Sequence, residues 1–206
     1  MRGKFITFEG IDGSGKSTQL EILADGLRSR GIDVLTTREP GGTSLGYKLR
    51  EVFLESEEAV TPLAELLLFA ADRAQHVENL IKPALEAGRI VISDRYSDAT
   101  VAYQGAGRGF SDATIQKVIE LATGGLRPDL TLFFDIPTET ALARTRGRSA
   151  KGNRMDQESE DFYELVRAEY LAIGEREPER FKIVDADGSI DEVSARVAEI
   201  IAIHFN

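Results

Sequence analysis

Five short runs rich in β-branched and aromatic residues, Lys4–Glu9, Asp33–Thr37, Arg89–Asp94, Leu130–Asp135 and Phe181–Asp185, alternate along the chain with longer segments whose apolar residues recur at helical spacing. The runs predict strands, and this alternation builds a parallel sheet covered by helices. Lys16–Arg30 is predicted as a helix closed by Gly31, and Ser44–Leu54 as a shorter one. Thr61 as N-cap and Pro62 at the first helical position open a pattern that runs to about Glu86 before Gly88. A helix over Ser111–Thr123 stops at the Gly124-Gly125 pair, Pro137 opens one running toward Arg146, and Met155–Glu175 and Ile190–Ile203 complete the set. No internal repeat or low-complexity linker interrupts the pattern. Residues 1–206 therefore read as one α/β domain, a five-stranded parallel sheet flanked by helices, with an irregular basic insert at about 144–155.

Composition narrows the function. Lys plus Arg number 25 against 35 Asp plus Glu, a formal balance of −10 that excludes a generically basic nucleic-acid binder. A chain of 206 residues buries roughly 70% of its unfolded surface and needs no staples. The absence of cysteine removes disulfides, zinc–thiolate sites, iron–sulfur clusters and thiol catalysis, and makes the cytosol the expected compartment. The apolar stretch Phe5–Phe8 lacks a small-residue cleavage site and reads as a first strand rather than a signal peptide. The longest apolar tract, Leu63–Ala71, is interrupted by Glu65 and falls far short of the roughly 20 residues of a membrane span, so a soluble protein is expected.

Directly after the first strand, Gly10-Ile11-Asp12-Gly13-Ser14-Gly15-Lys16-Ser17 satisfies G-x-x-x-x-G-K-[ST] in the strand-to-helix context that pattern requires. Its glycines let successive amides and the helix N-terminus point at negative charge, Lys16 reaches outer phosphates and the Ser17 hydroxyl suits Mg²⁺. The loop predicts a bound nucleoside triphosphate and leaves its use open. A GTPase switch needs a DxxG element followed by an N-K-x-D base reader. Asp185–Gly188 matches the first formally, but Asn153-Arg154-Met155-Asp156 has arginine for the lysine and the order is reversed. A motor ATPase would bring a larger chain with partner-binding modules. A small-molecule kinase needs a second phosphate site and a way to exclude water.

The sequence offers both. Asp94-Arg95-Tyr96 lies at the end of the third strand and Arg38-Glu39-Pro40-Gly41-Gly42 at the end of the second, where guanidinium groups converge beside the phosphate loop. Arg73, after Phe69 on an apolar helix, adds another cation. Asp94, Asp135 and Asp185 end strands, where an open parallel sheet forms its ligand crevice; each also suits a loop start or helix cap. Residues 144–154 carry five cations, no acid and two glycines, and removing their +5 leaves −15 for the rest. Such a segment suits a mobile lid that brings arginines to a transferring phosphoryl group; a solvated charged loop is the bland alternative, and no aromatics are interleaved for nucleic acid.

With these pieces assembled, the sequence resembles the thymidylate kinases, through FEGIDGSGKST (Phe8–Thr18), TREPGGT (Thr37–Thr43), FAADRAQH (Phe69–His76), DRYSDATVAYQG (Asp94–Gly105), RPDLTLFFD (Arg127–Asp135) and the lid with its RMDQES continuation. The resemblance implies the P-loop nucleoside monophosphate kinase fold, a mobile basic lid and transfer of the γ-phosphoryl group of ATP to dTMP with Mg²⁺. It implies ATP contacts along Gly10–Thr18 and from Arg144 and Arg146, and metal contacts at Ser17 and Asp94. For dTMP it implies Asp12 near the sugar 3′-OH, Phe69 stacked on thymine, Arg73 and Gln104 on the base, Thr100 beside them, Arg38 and Arg95 on the phosphate, and Tyr103 against the sugar 2′ position. Lys16, Arg95, Arg148 and Arg154 are the implied catalytic residues. Gly13 stands where one subgroup carries arginine, so the arginine-rich lid points to the bacterial-type arrangement. Asn153 departs from the usual acid before the last lid arginine. Asp94 is left with two roles, orienting Arg95 or a metal-bound water. The family's habit of pairing implies a homodimer, with Leu63–Ala74 as an apolar face for it. A kinase for another monophosphate base and a deoxynucleoside kinase are the neighbouring readings, and Arg38, Phe69, Arg73, Arg95 and Gln104 separate both from a switch.

Overall fold

The computed structural model describes residues 2–56, 58–146 and 158–205. Five parallel strands, β1 (Phe5–Glu9), β2 (Val34–Arg38), β3 (Ile90–Asp94), β4 (Leu130–Asp135) and β5 (Phe181–Asp185), form one sheet in the order β2-β3-β1-β4-β5. Every residue of β1 is buried, as its central place between β3 and β4 requires. The register pairs Phe8 with Asp94 and Arg38 with Asp94, so the carboxyl ends of β1, β2 and β3 lie side by side. The loops that follow them therefore open into one crevice.

Helices α1 (Lys16–Ser29), α2 (Ser44–Glu55) and α3 (Pro62–His76) stand within a residue or two of their predicted bounds. Thr61 occupies the N-cap of α3 without a side-chain cap bond; its carbonyl accepts the Glu65 N–H instead. The predicted run to Glu86 is continuous but not uniform, because a π-helical turn at Val77–Ile81 precedes α4 (Lys82–Glu86). Pro83 lacks the N–H that the ordinary ladder would use there. A short α5 (Ser97–Thr100) and a second π-helical stretch, Val101–Gly107, were not expected from the sequence. Gly107 explains part of this path: a Cβ there would stand 2.5 Å from the Phe162 ring, so only glycine lets the two segments approach so closely.

Then follow α6 (Asp112–Thr123), capped by the Ser111 hydroxyl and stopped by left-handed Gly124, α7 (Thr138–Arg146), α8 (Glu160–Arg176) and α9 (Ile190–Phe205). The Ser159 hydroxyl accepts the Phe162 N–H, and this cap starts α8 later than the predicted Met155. The basic segment at 147–157, with Arg148, Asn153 and Arg154, lies outside the described residues. Behind the crevice, Arg180 grips Asp98 through two bonds of 2.8 Å and so ties α5, immediately downstream of β3, to the entry of β5.

Candidate active site

The phosphate loop leaves β1 and ends at Gly15, the left-handed N-cap of α1, so the amides of the first turn are unpaired within the helix and face the crevice. Gly13 has φ +88°, and a Cβ there would meet the Ala141 carbonyl oxygen at 2.3 Å. No arginine fits at this position without moving α7, so positive charge for a donor phosphate has to come from elsewhere. Arg144 stands beside this loop, its guanidinium donating to the Gly13 carbonyl at 3.4 Å. Of the other loop residues, Ile11 turns into the core, Thr18 is exposed, and the buried Ser14 hydroxyl has no partner among the described residues.

Lys16 is buried, with its ammonium 3.2 Å from Asp12 and 3.8 Å from Asp94. The Ser17 hydroxyl donates to Asp94 at 2.6 Å. Burial alone would raise the Asp12 and Asp94 carboxyls, but Lys16 and Arg95 outweigh it and hold both below the usual carboxylate range. Arg95 bonds Asp12 at 2.9 Å, whereas Asp94 faces Lys16, Ser17 and Arg38. Asp94 thus bonds Ser17 directly while Arg95 still acts on its charge.

Arg95 is the one non-glycine residue with positive φ, +73°, among the described residues. Such a conformation costs on the order of 1 kcal/mol and persists only where its surroundings enforce it. They do so here on three sides. The Arg95 N–H donates to the Phe8 carbonyl, Ser93 Oγ donates to the Arg95 carbonyl, and the Tyr96 N–H donates to Glu9. The result throws the Arg95 guanidinium over the Tyr103 ring, 4.9 Å from its centroid. The Tyr103 hydroxyl is buried without a partner among the described residues, and burial pushes its ionisation up to about 12.

Asp12, Arg38, Phe69, Arg73, Arg95, Thr100, Tyr103 and Gln104, the eight residues that the resemblance implied for dTMP, all line one pocket with Lys16, Ser17 and Asp94. At its inner end Arg73 is anchored through Nε to Glu39, Nη1 to Thr100 Oγ1 and Nη2 to the Tyr96 carbonyl, with one N–H on each terminal nitrogen left for a ligand. Phe69 forms a wall with Phe53, their centroids 4.5 Å apart. Asp135 and Asp185 take no part: the first is clamped by Arg167, and the second shapes its own loop with Asp187 and Arg196.

The sequence reading missed Arg50, which lines the pocket and donates to the Pro40 carbonyl. A signal existed, since Arg50, Phe53 and Leu54 share one helical face. Lys16, Arg38, Arg50 and Arg95 against Asp12 and Asp94 leave the mouth net positive inside an acidic chain. Glu9 was also passed over, although it ends β1. It is wholly buried, accepts from Tyr170 and Tyr96, and is pushed up to about 8 by burial and then by Asp98.

Asp72 stands behind the turn at Arg38–Gly42, with one oxygen accepting the Gly41 N–H and the other unpartnered among the described residues. Burial and then Glu39 push its carboxyl up to about 7 from 3.8. The native state thus holds a proton that the unfolded chain releases near pH 4, and the associated stability fades as pH rises to about 7. Asp72→Asn removes this dependence. In thermal unfolding the variant's Tm relative to the parent is expected to rise by at least about 3 °C between pH 5 and pH 8; a constant difference would contradict the assignment.

The comparisons agree with the geometry. The sequence model described as Thymidylate kinase matches residues 8–197. The chain belongs to the thymidylate kinase family. A thymidylate kinase of Cupriavidus necator is 50% identical over 204 residues, spanning 98% of this chain and 99% of that one. Another from Syntrophotalea carbinolica is 49% identical over 199 residues, spanning 94% and 92%. The crystal structure of thymidylate kinase from Ehrlichia chaffeensis superposes with a TM-score of 0.79 at 34% identity, covering 98% of this chain and 99% of that one. Members of this family are ATP-dependent nucleoside monophosphate kinases that phosphorylate dTMP to dTDP, and the five-stranded parallel sheet with flanking helices is their P-loop fold. No helix of the described residues is long and apolar enough to cross a membrane.

Proposed function

We propose that the pocket binds dTMP beside ATP and promotes direct in-line phosphoryl transfer through positioning and charge neutralisation, without a covalent enzyme intermediate. One observation carries the residue assignments: the eight implied dTMP ligands converge with Lys16 and Ser17 in a single pocket. The Arg95 and Arg38 guanidinium groups take the acceptor phosphate, whose oxygens match their planar forks. Asp12, bonded to both Lys16 and Arg95, joins donor and acceptor sides and reaches the sugar 3′-OH. Tyr103 fills the space beside the sugar 2′ carbon. Phe69 stacks on the base while Arg73 and Gln104 meet its polar edge. Lys16, the loop amides and Arg144 hold the donor phosphates. The basic segment at about 144–155 acts as the lid, its Arg148 and Arg154 meeting the transferring group and Arg146 the ATP.

Ser17 and Asp94 suit Mg²⁺: a hydroxyl and one carboxylate, 2.6 Å apart at the donor end. No cluster of three or more acidic or histidine ligands occurs among the described residues. Mg²⁺ characteristically takes one or two protein oxygens plus water and substrate phosphate. When bound it would neutralise charge on the phosphates.

The same reading makes residues 1–206 one kinase domain that works in the cytoplasm as a homodimer. Leu63 and Leu67 on α3 and Leu121 on α6, all exposed apolar side chains on adjacent helices, support the pairing. Phe69→Ala tests the base assignment. KM for dTMP should rise by about tenfold or more, the worth of one base–aromatic stack, with kcat little changed; an unchanged KM would remove Phe69 from the site.

A further inference from the structure

Gln104 lines the pocket, yet nothing about glutamine says which end of its amide faces the base. Its Nε2 donates to Glu65 Oε1 at 2.7 Å. Glu65 is wholly buried and is not part of the pocket wall. Arg108 pairs with it, its Nε reaching Oε1 at 3.1 Å and its Nη2 reaching Oε2 at 3.0 Å. Arg108 is itself fixed between the Phe162 ring, 4.7 Å from its centroid, and Glu158, 2.6 Å away. An ionised carboxylate only accepts hydrogen bonds, so the NH₂ of Gln104 must turn to Glu65 and its carbonyl oxygen must turn away.

We propose that Glu65, without touching substrate, sets pyrimidine selectivity by fixing the Gln104 amide so that its carbonyl accepts from the base. A pyrimidine that carries N3–H, as thymine does, meets that acceptor with a donor. Cytosine presents a bare N3 and an exocyclic amine in the same places, so it sets acceptor against acceptor at Gln104 and donor against donor at Arg73. Arg108 holds the Glu65 carboxylate through two bonds and is itself held by Glu158, which ties the base reader to the start of α8. Glu65 is thus a positioning residue, and its role rests on the reading of Gln104 as a base contact.

Glu65→Gln conserves shape but not charge. With Arg108 Nη2 holding the carbonyl at the Oε2 place, the new NH₂ takes the Oε1 place against both Arg108 Nε and Gln104 Nε2, and Gln104, the one of these that can offer an acceptor instead, turns its amide over. kcat/KM would be measured for dTMP and for dCMP in the parent, in E65Q, in Q104A and in the double variant, with Tm and the ATP KM as controls. E65Q is expected to lower the dTMP-to-dCMP ratio by about tenfold or more, the worth of one directed hydrogen bond, with the ATP KM unmoved. In the Q104A background the same change should add no further loss of the ratio. Should E65Q not fold, E65D draws the carboxylate away from the amide while preserving its charge, and the same loss is expected. A folded E65Q or E65D with the parental ratio, or with equal losses on both nucleotides, would overturn the proposal. An unchanged ratio in Q104A would overturn the reading of Gln104 itself, and the proposal with it.

Discussion

Replacing Lys16 with alanine is expected to lower kcat by about 10³-fold or more, because a preorganised cation at the transferring phosphate is worth several kcal/mol in a water-poor site. Two effects add. The donor phosphates lose their ammonium contact, and Asp12 and Asp94 lose the cation lying 3.2 and 3.8 Å away. Those carboxylates then repel the triphosphate they had helped to orient, so KM for ATP should rise as well. The fold should persist, since the α1 ladder and the β1 pairing do not pass through this side chain. The check is steady-state kinetics beside a thermal melt: a folded K16A with near-parental kcat would contradict the donor assignment.

Arg95→Ala is expected to reduce kcat/KM for dTMP by about 10²-fold or more, the scale of two charge-assisted hydrogen bonds, with a far smaller change in the ATP KM. Alanine keeps a Cβ at φ +73°, so the backbone cost of this turn is the same in parent and variant and the loss reports on the guanidinium. Asp12 also loses its 2.9 Å partner while keeping Lys16, so its carboxylate stays ionised. Direct dTMP titration without ATP separates binding from chemistry. Parental affinity would place the acceptor phosphate elsewhere, for example on Arg38 and Arg50 alone.

The sheet was legible because each strand is a short β-rich run between helix-period segments, and Leu130–Asp135 and Phe181–Asp185 stand at their predicted bounds. The stretch after Tyr96 was not. Its path depends on Gly107 meeting Phe162 and on Asp98 meeting Arg180, contacts made across 55 and 82 positions of chain that no local period encodes. Within the site, residues carried by compact motifs, such as Lys16, Arg38 and Arg95, were readable from chemistry and spacing. The groups that hold them were not: Glu9 under the Arg95 turn, Glu39 on Arg73, and Glu65 on Gln104 are buried carboxylates whose partners lie 34 to 87 residues away. By position alone Asp94, Asp135 and Asp185 looked alike; the resemblance singled out Asp94, and the register that sets β3 beside β1 and β2 shows why it lies in the crevice. The prediction that Thr61 caps α3 identified the position but not the bond, because a helix start can satisfy its first donors without the side chain.

Phosphoryl transfer to dTMP is measured as ATP- and Mg²⁺-dependent ADP formation against dTMP, dUMP, UMP, AMP, CMP, GMP and thymidine. Strong preference for dTMP, with thymidine inert and UMP poor, is the predicted result. Preference for another monophosphate would contradict the base contacts assigned to Phe69, Arg73 and Gln104, and ADP formed at the same rate without any acceptor would contradict the transfer chemistry itself.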